Sequence, residues 1–280
     1  MTLAAALADA ERVLRAAGVA SPRVDAELLA AHVLRVRRSR LLITAADRAR
    51  LGEFRALVER RATRVPLQHL LGTAPMGSVE VAVGPGAFVP RLETELLLEW
   101  GLRALSGHIG PVVVDLCTGS GALAAAVAVS RPDARVHAVE LDPGALVWAR
   151  RNLAGRATLH VGDVTDADLL SELHGRVDLV LANPPYVPEG TPVPPEVAEH
   201  DPHRAVFAGP DGLAVIRPLS VLAGALLRPG GVLAIEHDDT HGDAAPAILR
   251  RLPELTDIVE HVDLAGRPRF VTARKVGSPA

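Results

Sequence analysis

Among 280 residues there is one cysteine and one tyrosine. The lone Cys117 excludes an internal disulfide and a zinc site built from several thiolates. A reducing, cytoplasmic compartment is expected. There is no basic excess: the formal net charge is -3, whereas a dedicated duplex-DNA binder carries a basic face. No run is long and apolar enough to suggest a membrane span. The first residues are apolar, but Asp9 and Glu11 interrupt them and no basic stretch precedes them. No signal peptide is therefore expected. Internal repeats and low-complexity tracts are also lacking. The remainder, 49% hydrophobic and 22% charged, has a globular balance. A chain of this length forms one large or two ordinary domains and buries roughly 75% of its unfolded surface without covalent staples.

The first quarter is helical in pattern. Leu3, Leu7, Ala10 and Leu14 recur on one helical face, and Gly18 stops the run. Ser21-Pro22 opens a second helix, with Ser as N-cap and Pro in the first turn. Thr44 and Asp47 precede a third, which carries Leu51, Phe54 and Val58. Up to residue 75 there are thirteen Lys/Arg against seven Asp/Glu. Arg35, Arg37, Arg38 and Arg40 supply much of that excess, which suits either a solvated helix end or a contact surface for an acidic or nucleic-acid-containing partner. Residues 72–90 are rich in glycine and proline around the alternating run Val79–Val83, which reads as a β-hairpin linker. A new helix is expected to begin at Arg91.

From Pro111 the pattern alternates between strand and helix. Strands are expected at 112–116, 135–141, 157–161, 177–182, 231–236, 256–263 and 268–274. This predicts an α/β fold with a doubly wound, Rossmann-like parallel sheet. The last two strands lack a long crossover and should form an antiparallel edge pair. The expected partition is residues 1–75, a helical domain; 76–90, the hairpin; and 91–280, the α/β domain.

Two strand ends carry the chemistry. Asp115-Leu116-Cys117-Thr118-Gly119-Ser120-Gly121 leaves the first strand and enters a helix, and its glycines allow close approach of a ligand to the backbone. The same spacing satisfies the dinucleotide fingerprint, which leaves a nicotinamide-dependent dehydrogenase open. Glu140 ends the next strand, about twenty residues on, where a carboxylate binds ribose hydroxyls. Asp163, followed by Val164, comes after the third strand, placed to accept from an adenine amino group. Together these outline an adenosine site. The fourth strand ends in Asn183-Pro184-Pro185-Tyr186. A following proline pushes Asn183 into an extended conformation. Pro184 has a carbonyl and no N–H. The Asn183 side-chain oxygen and the Pro184 carbonyl would thus grip both hydrogens of a planar NH2 group, and Tyr186 offers it a flat face. The late run Glu236–His241 has metal-ligand residue types but also reads as a polar loop. No metal is expected. Cys117 lacks an evident base and is read as a small side chain that fits its loop.

These motifs make the chain resemble the PrmC/HemK family, the release-factor glutamine methyltransferases. The resemblance runs nearly end to end. It includes Ser21–Glu27, Pro66–Gly72, Val89–Glu95, the glycine loop, the Asn-Pro-Pro-Tyr motif, Gly209–Leu213, Pro229–Gly231 and Asp263–Arg267. The Asn-Pro-Pro-Tyr motif alone is shared with DNA amino-methyltransferases, which keeps a nucleic-acid adenine N6-methyltransferase as the alternative. The resemblance implies a five-helix N-terminal domain, a hairpin and a seven-stranded domain dependent on S-adenosyl-L-methionine. It implies methylation of the glutamine in the Gly-Gly-Gln motif of class 1 peptide chain release factors, with no metal, membrane or direct nucleic-acid partner required. Leu92 stands where the family usually has proline, and Cys117 where glycine is common.

Overall fold

The computed structural model describes residues 2–277, so the outermost residues of the expected partition, 1 and 278–280, lie outside the described residues. The chain divides into two compact units: Met1–Thr73 with Pro194–His200, and Ala74–Val193 with Asp201–Ala280.

The first unit is helical. Helix Leu3–Ala16 buries Ala6, Leu7, Ala10 and Leu14, the face its period predicts. Helix Pro22–Leu34 starts after Ser21, whose side chain makes no capping bond. In contrast, Asp47 does cap helix Arg48–Ala62, accepting from the Arg50 N–H at 2.8 Å. A 3-10 helix, Arg38–Ile43, and a short helix, Leu67–Leu71, complete the segment before Thr73. Leu14, Leu29, Phe54, Val58 and Leu70 meet in one apolar core. Segment Pro194–His200 belongs here because of charge. Glu196 accepts from Arg61 Nη2 at 2.8 Å and from Arg64 Nε at 2.8 Å, while Arg61 Nε donates to Asp25 at 2.8 Å. Arg61 and Asp25 are buried. A charge in that position persists only when paired.

The second unit opens with strands β1 (Thr73–Met76) and β2 (Val79–Ala82), a two-stranded hairpin turning at Gly77. It packs within this unit: Asn152 donates to the Ala82 carbonyl and accepts from the Ala82 N–H at 2.8 and 2.9 Å. The helix expected from Arg91 begins only at Thr94 and runs to Ala104. Arg91 lies before the helix, where its side chain makes one contact distant in sequence and one close by. It pairs with buried Asp201 at 2.6 Å and lies 4.7 Å from the centre of the Phe88 ring.

Seven strands follow: β3 (Val112–Leu116), β4 (Arg135–Glu140), β5 (Thr158–Val161), β6 (Val177–Ala182), β7 (Leu227–Glu236), β8 (Leu255–Val262) and β9 (Pro268–Lys275). Their order is β5-β4-β3-β6-β7-β9-β8. The first five are parallel, and β9 pairs antiparallel with both β7 and β8. The fold is therefore the expected Rossmann-like α/β sheet with an antiparallel edge. Strand β6 explains its own near-continuous apolarity. Leu179 and Leu181 enter the core on one face, while Val177, Val180 and Ala182 enter the core on the other. A strand covered by helices on both sides has no polar face to present.

Candidate functional site

Strand register gathers the candidate residues at one end of the sheet. Leu116 of β3 pairs with Val139 of β4 and with Ala182 of β6. Ala182 in turn pairs with Ile235 of β7, and Glu140 with Val161 of β5. The next residues along, Cys117, Asn183 and Glu236, therefore lie side by side at the strand ends, with Glu140 and Asp163 beyond. Ligands bind at such carboxyl ends in open α/β sheets.

The glycine loop is held from below. Asp115 is buried, and its Oδ2 accepts from Thr118 Oγ1 at 2.5 Å and from the Ala124 N–H at 3.1 Å. Burial pushes its carboxyl up to about 7, against the opposing pull of those two donors. The Thr118 N–H donates to the Val139 carbonyl at 2.9 Å, and Asn152 Nδ2 donates to the Ser120 carbonyl at 2.8 Å. Gly121 takes φ +85°, and a Cβ there would stand 2.9 Å from Leu153 Cγ. Both features require glycine. Gly119, at φ +58°, faces open space with no neighbour within 4 Å of a Cβ position. Cys117 also takes a left-handed φ of 62°, a conformation that glycine adopts most readily. Its thiol is pushed well above the ordinary cysteine value, first by burial and then by the carboxylates of Glu140, Asp115 and Asp163. A thiol held in its protonated form is a poor nucleophile.

Glu140 serves the backbone. Oε2 accepts from the Gly119 N–H at 2.7 Å, and Oε1 from the N–H groups of Leu141 and Asp142 at 2.8 and 2.7 Å. A carboxylate has about four lone-pair positions, so capacity for one more donor remains. Asp163 is exposed and uses only Oδ1 locally, in a turn with Thr165, while Val164 beside it is buried.

The Asn-Pro-Pro-Tyr motif is half-buried apart from Pro184, which is buried. Asn183 Nδ2 donates to Thr94 Oγ1 at 3.0 Å. The Tyr186 hydroxyl donates to Glu236 Oε1 at 2.9 Å. The segment that follows is stitched down: Val187 N–H to Val206, Ala208 N–H to Val187 and Glu189 N–H to Gly209, at 2.9, 3.0 and 2.9 Å. Gly212 closes against it, since a Cβ there would lie 2.3 Å from the Tyr186 carbonyl oxygen.

The run Glu236–His241 disperses its side chains. Glu236 meets Tyr186, His237 meets Glu260 at 2.9 Å, Asp238 caps Thr240, and His241 meets the Asp211 carbonyl at 2.9 Å. Among the described residues no three His, Cys, Asp or Glu side chains form a group able to hold a metal ion. Sequence reasoning missed Thr94, a buried hydroxyl on an otherwise amphipathic helix, and the pairing of Glu236 with Tyr186. The signal for Thr94 was its place inside the quoted Val89–Glu95 motif.

Comparison with known proteins fits this arrangement. Residues 5–72 match the PrmC N-terminal domain and residues 93–199 the methyltransferase small domain. A release factor glutamine methyltransferase from Mycolicibacterium smegmatis is 53% identical, with 98% of each chain covered. Those of Corynebacterium glutamicum and Mycobacterium tuberculosis are 51% and 48% identical, covering 99% of this chain and 100% and 93% of their own. Among the described residues no helix is long and apolar enough to cross a membrane. With both domain models matched and near-complete coverage by relatives at about half identity, the chain belongs to the release factor glutamine methyltransferase family.

Proposed function

We propose that this protein transfers a methyl group from S-adenosyl-L-methionine to the side-chain amide nitrogen of the glutamine in the Gly-Gly-Gln motif of class 1 peptide chain release factors. The observation that carries the reading is the adjacency of Cys117 and Asn183, fixed by the pairing of Leu116 with Ala182. It sets a nucleoside-type loop beside a motif suited to a planar NH2.

The loop suits the donor. The open space at Gly119 admits a ligand against the backbone, Glu140 retains acceptor capacity toward ribose hydroxyls, and Asp163 Oδ2 is available toward an adenine amino group. Thr118, Ser120 and Gly121 shape the turn, Cys117 and Val164 line it, and Asp115 braces it. When bound, S-adenosylmethionine supplies an electrophilic methyl group on a cationic sulfonium, whose departure needs no acid.

The protein's task is the nucleophile. An amide nitrogen is weakly nucleophilic because its lone pair is delocalised. Asn183 Oδ1 and the Pro184 carbonyl accept its two hydrogens and favour a pyramidal nitrogen as the new bond forms. Pro185 keeps the turn rigid, and Tyr186 packs against the amide plane. Most of the acceleration is alignment and preorganised electrostatics. The proton left on the alkylated amide is acidic enough to pass to water, so no histidine is needed.

The relatives at 48–53% identity bear the release factor name, which disfavours the adenine N6-methyltransferase. A dehydrogenase gives Asn183–Tyr186 no role. The test is incubation with labelled methyl donor and a mixture of release factor, tRNA, rRNA and DNA. Label should enter the release factor and be lost when its Gly-Gly-Gln glutamine is replaced. Label in nucleic acid instead would overturn the reading.

A further inference from the structure

Thr94 and Glu236 lie far apart in sequence, and each pairs with a residue of the Asn-Pro-Pro-Tyr motif. Thr94 is 2% exposed and Glu236 1% exposed. Thr94 Oγ1 accepts from Asn183 Nδ2 at 3.0 Å. Burial pushes the Glu236 carboxyl up, against the opposing pull of the nearby Thr94 and Tyr186 hydroxyls. Glu236 also accepts from the Tyr186 hydroxyl at 2.9 Å through Oε1. Its Oε2 is buried with no hydrogen-bond partner. The four side chains form two pairs, Asn183 with Thr94 and Tyr186 with Glu236.

The Asn183 pair has a direction. Thr94 Oγ1 binds the NH2 end of the amide, which leaves the amide oxygen to face the substrate. With the amide turned over, the NH2 end would point at the incoming substrate NH2, donor against donor.

We infer that Thr94 is a positioning residue that holds the Asn183 amide with its oxygen toward the substrate nitrogen. This rests on the reading of Asn183 given above and extends it to a residue that does not touch the substrate. Glu236 separately fixes Tyr186, the flat face of the site, by accepting from its hydroxyl.

The test is a double-mutant cycle on the full-length enzyme, read as single-turnover methylation of intact release factor. Donor affinity by calorimetry serves as the check on folding. Thr94→Val should lower the rate constant on the order of 10-fold, the consequence of one lost hydrogen bond, with donor affinity unchanged. Thr94→Ser should restore most of the rate. Thr94→Ala, which adds no bulk, gives the same reading if the valine variant does not fold. In an Asn183→Ala background the Thr94 substitution should change the rate less than about 2-fold, because its effect passes through Asn183. An unchanged rate in Thr94→Val and Thr94→Ala overturns the inference. So does an equal loss with and without Asn183, which would make Thr94 a fold residue only. Full activity of Asn183→Ala alone would instead overturn the underlying reading of the site.

Discussion

Glu140 Oε2 accepts the Gly119 N–H at 2.7 Å and so ties the end of β4 to the loop that leaves β3. The same carboxylate has its remaining capacity toward the proposed ribose position. Glu140→Ala therefore removes a loop anchor and a ligand contact together. Charged hydrogen bonds of this kind are worth roughly 1.5–3 kcal/mol. Affinity for S-adenosylmethionine, measured by calorimetry, should fall about 10–150-fold. An unchanged dissociation constant would mean that the residue only finishes a strand.

Asn183→Ala addresses the other half of the site. It removes one of two acceptors for the amide hydrogens, so turnover should fall about 10²–10³-fold, the usual loss for one preorganised partner in the transition state. The donor is held chiefly by the loop, with Asn183 as one contact among several, so donor affinity should change much less. Wild-type turnover in the variant would remove the proposed mechanism.

Asp115 links the site to stability. Burial holds its carboxyl at about 7 in the folded protein against an ordinary 3.8. Between those values the folded state keeps a proton that the unfolded state has released. Stability therefore declines as pH rises from about 4 to about 7 and is level above, a contribution of up to a few kcal/mol. Asp115→Asn abolishes that titration while keeping an acceptor for Thr118 and Ala124. The gap in Tm between variant and wild type should move in favour of the variant from pH 5 to pH 8. A gap that does not change with pH would show that Asp115 is ionised throughout.

The sheet was legible because its signals are local. Strand β6 announces itself by six residues that bury both faces, and the glycine loop and Asn-Pro-Pro-Tyr motif mark where two strands end. Partners distant in sequence were not legible. The helix expected at Arg91 starts at Thr94, and Arg91 instead pairs with Asp201, 110 positions on. Glu236 looked like part of a polar loop because its partner, Tyr186, lies fifty positions upstream. Gly212 was quoted as part of a motif, yet its reason is the Tyr186 carbonyl pressed against it. Segment 194–200, expected to belong to the α/β domain, clusters with the helical unit through Glu196, Arg61 and Arg64.

The last prediction concerns the helical first unit. It contains no glycine loop and no catalytic cluster, and it is more basic than the rest of the chain. We propose that it recognises the release factor. A Gly-Gly-Gln tip of a few residues supplies little area, whereas stable protein interfaces bury about 1,200–2,000 Å², so a second contact surface is needed. Arg37 and Arg40 are exposed, and neither is among the arginines of the Asp25–Arg61–Glu196 network. Their reversal to glutamate leaves that buried network intact. Rim charges act chiefly on association rate and its salt dependence. The Arg37→Glu/Arg40→Glu variant should therefore lower kcat/KM for intact release factor, most strongly at low salt, where screening is weakest. A short Gly-Gly-Gln peptide should be methylated as before, and donor affinity should be unchanged. The measurement is the ratio of kcat/KM for protein over peptide, in wild type and variant, at low and high salt. A ratio that is the same in both enzymes at every salt concentration would assign these arginines to solvated surface alone.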